Sequence, residues 1–261
     1  MGSLFKNYFE NEMFTVKYAA GPSEMIGREF HTYNEIIFFM GGEGRFIADN
    51  ANVTLRQELV MVIPRANYHS MNITGDKNSY LRCVVHFNDM PIFKSPGEVL
   101  VADANRHIKY LFKKIISALS VESDKRIKND IIVSAINLLL YEFSQFPQGD
   151  RLSKERTLSQ KCVEIINEGL CSGIGTAKIA EKLSVSQSTL CHTFRKEMNI
   201  SVYKYILEKR LVLAREKILN GCRTADAALE CGFNDYSGFY KQYINMFGSA
   251  PSRTVKLKNI E

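Results

Sequence analysis

The chain has 261 residues, enough for two domains with a core each, and its 45% hydrophobic and 24% charged content is that of an ordinary globular protein. The longest apolar runs, such as residues 131–141, are too short and too polar to cross a bilayer, and MGSLFKNYFE lacks the apolar core of a signal peptide. The net charge of +6 is unevenly placed: residues 151–261 carry 18 Lys+Arg against 11 Asp+Glu, while the rest is close to neutral. A polyanionic partner for the C-terminal part, in the cytoplasm, is the natural expectation.

The N-terminal part reads as β-structure. Tyr33–Met40, Gly44–Ala48, Val53–Leu55, Leu59–Ile63 and Tyr80–Phe87 are short runs rich in β-branched and aromatic residues, separated in part by Gly41-Gly42, Asp49-Asn50 and Gly75-Asp76. Short strands at this spacing predict a sandwich or barrel. Arg82 and His86 fall on alternate positions of one strand and so share a face.

The period then changes. Ile108, Leu111, Phe112, Ile115, Ile116 and Leu119 follow helical spacing, as do Ile131, Ile132, Ala135, Ile136, Leu139 and Phe143. They predict a helical hairpin joined by the charged stretch 122–130. Its apolar surface exceeds what one barrel covers, which points to a dimer contact. Phe146-Pro147-Gln148-Gly149-Asp150 has the composition of a linker. The resulting division is 1–100 barrel, 101–150 hairpin and linker, and 151–261 helical domain. The six cysteines form no C-x-x-C pair and no zinc spacing, and read as reduced thiols.

Two segments of the helical domain are alike. In 179–196, Ile179 and Leu183 share one helix face, Leu190 and Phe194 share another, and Ser186 is placed to cap the second helix. In 228–243, Ala228 and Cys231 precede a Gly232-Phe233 turn, Asp235 caps, and Phe239, Tyr243 and Met246 face the core. Each predicts a helix-turn-helix. Val202–Leu219 reads as one helix between them, ~27 Å long at ~1.5 Å per residue. Such a strut suits two recognition helices about one duplex turn, roughly 34 Å, apart. The exposed faces offer Gln187, Ser188, Cys191, His192 and Arg195 in the first unit, and Tyr236, Ser237 and Lys241 in the second. These are side chains that reach base edges or phosphates, Cys191 being the poorest reader of them.

The order of these residues resembles the DNA-binding domain of the AraC/XylS family of bacterial transcription regulators. The resemblance rests on Ala180, Leu183, Val185-Ser186, Leu190, Phe194 and Lys196, then Tyr205, Arg210-Leu211, Ala214 and Leu219. It continues through Gly232-Phe233, Asp235, Ser237, Phe239, Lys241, Gly248 and Pro251. Asn199 replaces the usual glycine, Ile244 a usual lysine, and Val255 a common arginine. The resemblance implies a sequence-specific activator of double-stranded DNA, acting as a homodimer on RNA polymerase, and no enzyme.

Several members of that family carry a cupin-like barrel ahead of this domain. Glu29-x-His31-x-x-x-Glu35, Gly42, Pro64 and His69 echo the cupin motifs, with Glu29 at the first histidine and Ala66 at a glycine. The implied fold is a multidomain α and β chain: an N-terminal cupin-like β-barrel with a helical hairpin, then a C-terminal all-α double helix-turn-helix. Glu29, His31, Glu35 and His69 have the chemistry of metal ligands. Regulators with this barrel mostly keep such residues for hydrogen bonds to a small ligand or for barrel packing, so the resemblance implies instead a ligand-contact role for His31, Glu35, His69 and Arg82 toward a polar small molecule such as a sugar, with no metal and no cofactor expected.

Overall fold

The structure, a computed structural model, describes residues 5–20, 28–74, 76, 79–93, 98–146 and 156–254. The chain divides into two compact units, Met1–Glu155 and Arg156–Glu261. The expected linker residues 147–150 lie outside the described residues.

Unit 1 holds two antiparallel sheets. The strands are β1 (Phe5–Glu10), β2 (Phe14–Ala20), β3 (Arg28–Glu29), β4 (Asn34–Gly41), β5 (Glu43–Ala48), β6 (Asn52–Leu55), β7 (Leu59–Ile63), β8 (His69–Thr74), β9 (Leu81–Phe87) and β10 (Leu100–Asp103). One sheet has the order β1-β2-β9-β4-β7-β10 and the other β3-β8-β5-β6. The expected barrel is therefore an open, two-sheet one among the described residues. The five strands read from the sequence are present. The two-residue β3 and the strand β8 carry Glu29 and His69 of the cluster described below.

The six-stranded sheet is the middle layer. Alternation sends Ile37, Phe39, Met61, Ile63 and Val84 toward the four-stranded sheet, where they meet Phe46, Ala48, Leu55 and Met71. The other face, with Ile36, Phe38, Val60, Val62, Cys83 and Val85, meets the helices α1 (Arg106–Val121) and α2 (Lys125–Ser144). Burial on both faces explains why NEIIFFMG and LVMVI show no polar alternation.

The helical hairpin forms, with one boundary moved. Asp124 accepts from the Arg126 and Ile127 amides, so α2 begins at Lys125 and the connection is only 122–124. Most of the charged stretch is the exposed first turns of α2, because its lysine and arginine residues are good helix formers. The hairpin's main apolar stripe, including Ile108, Phe112, Ile115, Ile132, Ile136 and Leu139, is buried on the sheet of its own chain. A second stripe stays outside: Ile127, Ile131, Leu138 and Tyr141 are exposed on the opposite side of α2. No helix among the described residues is long and apolar enough to cross a membrane.

Unit 2 is all helical: α3 (Leu158–Gly169), α4 (Thr176–Lys182), α5 (Gln187–Met198), α6 (Val202–Leu219), α7 (Thr224–Glu230), α8 (Tyr236–Phe247) and a 3-10 turn at Pro251–Arg253. Helix α6 has the bounds that its sequence pattern predicts. All six cysteines are free, and burial pushes the Cys83, Cys162 and Cys231 thiols up to about 12.

Candidate DNA interface and sensor site

The two helix pairs of unit 2 are built alike down to their backbone bonds. After α4, Ser184 takes a left-handed conformation (φ 55°) and the Val185 amide donates to Ala180 O at 3.1 Å. After α7, Gly232 does the same (φ 80°) and the Phe233 amide donates to Ala228 O, also at 3.1 Å. Both are helix stops in which an apolar residue follows the left-handed one. Ser186 then caps α5 through the Thr189 amide, and Asp235 caps α8 through the Ser237 and Gly238 amides.

The cores beneath are separate. Ile179, Leu190 and Phe194 are buried in the first unit, where Phe194 meets Tyr205 of α6 edge-on at 5.5 Å. In the second, Ala228, Cys231, Phe239 and Tyr243 pack on Leu211, Ala214 and Ile218 of α6. Arg210 joins the two. Its Nε donates to Leu170 O at 2.8 Å, behind the first helix pair, and its Nη1 to Gly232 O at 3.2 Å, in the turn of the second. Burial lowers the pKa of this guanidinium, yet an arginine stays charged through the physiological range.

On the outer faces, Gln187, Ser188, His192 and Arg195 are exposed along α5, and Tyr236, Ser237 and Lys241 along α8. Cys191 is half-buried. The first residue of each recognition helix is tied back to the helix before it. Gln187 Nε2 donates to Thr176 Oγ1 at 2.9 Å, and Tyr236 and Thr224 share a hydroxyl–hydroxyl bond of 3.2 Å. Both threonines open their helices, and the sequence reading missed them because the pairing spans a turn of unknown length.

In unit 1 the structure brings Glu29, His31, Glu35 and His69 together, and His86 joins them. Strand register sets Glu29 directly across from His69. His69 Nε2 lies 3.0 Å from both Glu29 Oε2 and Glu35 Oε2, and His31 Nε2 lies 3.2 Å from Glu35 Oε2. His86 Nε2 holds the other Glu35 oxygen at 2.9 Å. Burial opposes charge on Glu35, but hydrogen bonds from His31, His69 and His86 outweigh it and hold its pKa well below the usual carboxylate range. For His69, burial is likewise overcome by Glu29 and Glu35, and its pKa rises to about 9. Tyr33 stacks on His31 at 4.1 Å, and burial with the nearby carboxylates pushes its phenol up to about 12.

Arg82, expected to share this site, is buried on the same face of β9 as His86 but sits over the Tyr80 ring at 5.3 Å. A cleft of about 250 Å³ lies next to the cluster, with Glu10, Glu12, Phe14, Tyr33 and His86 among its walls.

A protein-family model described as a helix-turn-helix domain matches residues 179–256. The chain is 23% identical over 230 residues to the probable transcriptional regulator LumQ of Photobacterium leiognathi, covering 85% of this chain and 89% of that one. It is 20% identical over 265 residues to the HTH-type transcriptional activator RhaS of Mannheimia succiniciproducens, covering 95% and 96%. It is 30% identical over 119 residues to the Msm operon regulatory protein of Streptococcus mutans, covering 45% and 43%. Residues 179–256 are thus an AraC-type helix-turn-helix domain, and the relatives are AraC-family transcriptional regulators. That domain is of a DNA-binding type, and the relatives named here are transcriptional regulators. Within this AraC-type domain, Asn199 takes the left-handed conformation (φ 52°) where glycine is usual, as the short amide side chain tolerates.

Proposed function

We propose that this chain is an effector-responsive transcriptional activator of the AraC family that binds double-stranded DNA as a homodimer in the cytoplasm and acts on RNA polymerase. The observation that carries the DNA reading is the pair of like-built helix-turn-helix units fixed to the ends of one 18-residue helix. On this reading Ser188, His192 and Arg195 discriminate bases, with Gln187 joining once it exchanges Thr176 for a base edge. Cys191 packs at the margin. Tyr236, Ser237 and Lys241 set register and approach in the neighbouring groove, where Ile244 supplies no charge.

The homodimer reading is supported by the outer stripe of α2. Residues 127, 131, 134, 138 and 141 alternate four and three apart, the spacing of a two-helix seam, and all five are exposed. The activator reading is supported by the relative named as an activator. The effector reading is supported by the buried polar groups His31, Glu35, His69 and Arg82 and by the neighbouring polar cleft, which suit a small hydroxylated molecule such as a sugar. Binding there shifts the population of dimer arrangements, and thereby operator affinity.

The test is titration of a selected operator with wild type, Arg195→Ala and Lys241→Ala at two salt concentrations. Both variants bind more weakly. Arg195→Ala loses more, and relaxes base preference by ~1–3 kcal/mol where its contact is to guanine. Unchanged affinity for both at either salt concentration overturns the assigned faces.

A further inference from the structure

We propose that Arg210 is a positioning residue that locks the two helix-turn-helix units of unit 2 in one mutual orientation, and so sets the spacing at which their recognition helices read one duplex. This rests on the DNA reading above and deepens it, since it names what makes two reading helices act as one rigid reader. Arg210 acts through the two turns it holds, not through a base contact.

Helix α6 by itself mounts the two units separately. The first rests near its N-terminal end, where Phe194 of α5 meets Tyr205 edge-on at 5.5 Å. The second packs further along, on Leu211, Ala214 and Ile218. Small cores seated on different stretches of one helix leave each helix pair able to slide or rock on its own seat. Arg210 lies between the two stretches. Its Nε donates to Leu170 O at 2.8 Å, at the end of α3, and α3 packs against α5. Its Nη1 donates to Gly232 O at 3.2 Å. The turn at Gly232 runs into the Asp235 cap of α8, so whatever holds that turn holds the start of the second recognition helix.

Two observations separate this role from plain stabilisation. The Arg210 Nη2 is buried with no hydrogen-bond partner, and among the described residues no carboxylate pairs with the guanidinium. A cation buried on these terms is a poor stabiliser, and an apolar side chain of similar volume often takes such a place at no loss. An apolar side chain cannot, however, tie main-chain carbonyls of two different helix pairs to one rigid plane. The guanidinium does so because its Nε–H and Nη1–H leave from different edges of a planar group. The second observation is the closeness of the two turns. A Cβ on Gly232 would lie 3.2 Å from Cys171 O, so the segments meet main chain to main chain, with little slack between them. Glycine permits the approach and Arg210 fixes its geometry.

The experiment uses the full chain without DNA, with spin labels on non-natural side chains at Ser188 of α5 and Tyr240 of α8, so that the six native cysteines stay unlabelled. Excess unlabelled chain confines the dipolar signal to pairs within one molecule. Wild type is expected to give one narrow distance distribution. Arg210→Met, shown to be folded by circular dichroism, widens it clearly. Arg210→Lys keeps the charge but gathers its donors on one nitrogen, and widens it too; it also decides the matter should Arg210→Met not fold. The second arm titrates a selected operator and a copy with one base pair, ~3.4 Å of helix, inserted between the two reading sites. Wild type loses at least ~10-fold on insertion, and Arg210→Met less than ~3-fold, because a loosened pair adapts to the new spacing. A merely stabilising residue would weaken both operators by the same factor, so equal insertion penalties in wild type and Arg210→Met overturn the proposal. A broad wild-type distribution overturns it, as does one that stays narrow in Arg210→Met and Arg210→Lys. The distance arm needs no DNA, so failure of the DNA-reading assignment leaves its outcome untouched.

Discussion

Replacing Gly232 by alanine tests whether the second helix-turn-helix is held by its turn. Gly232 has φ 80°, where a residue with a Cβ pays ~1–2 kcal/mol. The added methyl would meet Arg210 Cζ and Cys171 O at 3.2 Å and Arg210 Nε at 3.3 Å, tighter than ordinary contact. The guanidinium has to shift, which weakens its bonds to Leu170 O and Gly232 O. Hydrogen bonds to charged groups contribute ~1.5–3 kcal/mol each, so losing part of this pair adds roughly 1–2 kcal/mol. Gly232→Ala is therefore expected to lower the opening free energy of α7 and α8 by about 2–4 kcal/mol. Ser184→Gly is the matched control. Ser184 already sits at φ 55° with its Cβ, so glycine relieves that cost, less its own extra chain entropy, for a gain of ~0.5–1 kcal/mol. Hydrogen exchange resolved by segment reads both, because it separates α7 and α8 from the helices of unit 1. A change below about 0.5 kcal/mol for Gly232→Ala, or clear destabilisation by Ser184→Gly, would refute the turn argument.

Two further outcomes follow from single contacts. Asp235→Ala removes the acceptor for the Ser237 and Gly238 amides and should cost α8 about 1 kcal/mol, with weaker operator binding; unaltered exchange protection at the start of α8 would show that the cap contributes nothing. Leu138→Glu should leave unit 1 folded, since the side chain is 54% exposed, while weakening self-association at least ~10-fold in sedimentation equilibrium through a charge buried in the seam. An unaltered dimer constant would move the interface off α2, and a wild type that stays monomeric would remove it.

The parts legible in the sequence were those whose information is local. Helix α6 announces itself over eighteen residues, and Ser186 and Asp235 sit where caps belong because capping reaches only two or three residues ahead. Gly232 was readable as a turn, but Ser184 was not, since serine is rare in that conformation and only the backbone bond from Val185 to Ala180 requires it. The start of α2 was misplaced for a related reason. A run of charge reads as a loop until its N-cap, Asp124, is seen to aim at the amides behind it.

The sensor cluster shows the limit most clearly. His31, Glu35 and His69 could be named from motif spacing, and Arg82 and His86 share a face by strand alternation alone. Which of that pair reaches Glu35 depends on register between β4 and β9, which sets His86 across from Glu35 and Arg82 across from Phe39. A slip of one residue would turn His86 toward the hydrophobic layer under α1 and α2. Apolar burial on both faces of this sheet forbids the slip, because it would send Arg82 and His86 into one core and Cys83 and Val85 out of it. The polar cluster is therefore positioned by the hydrophobic residues between its members, and none of those would be singled out in a search for functional side chains.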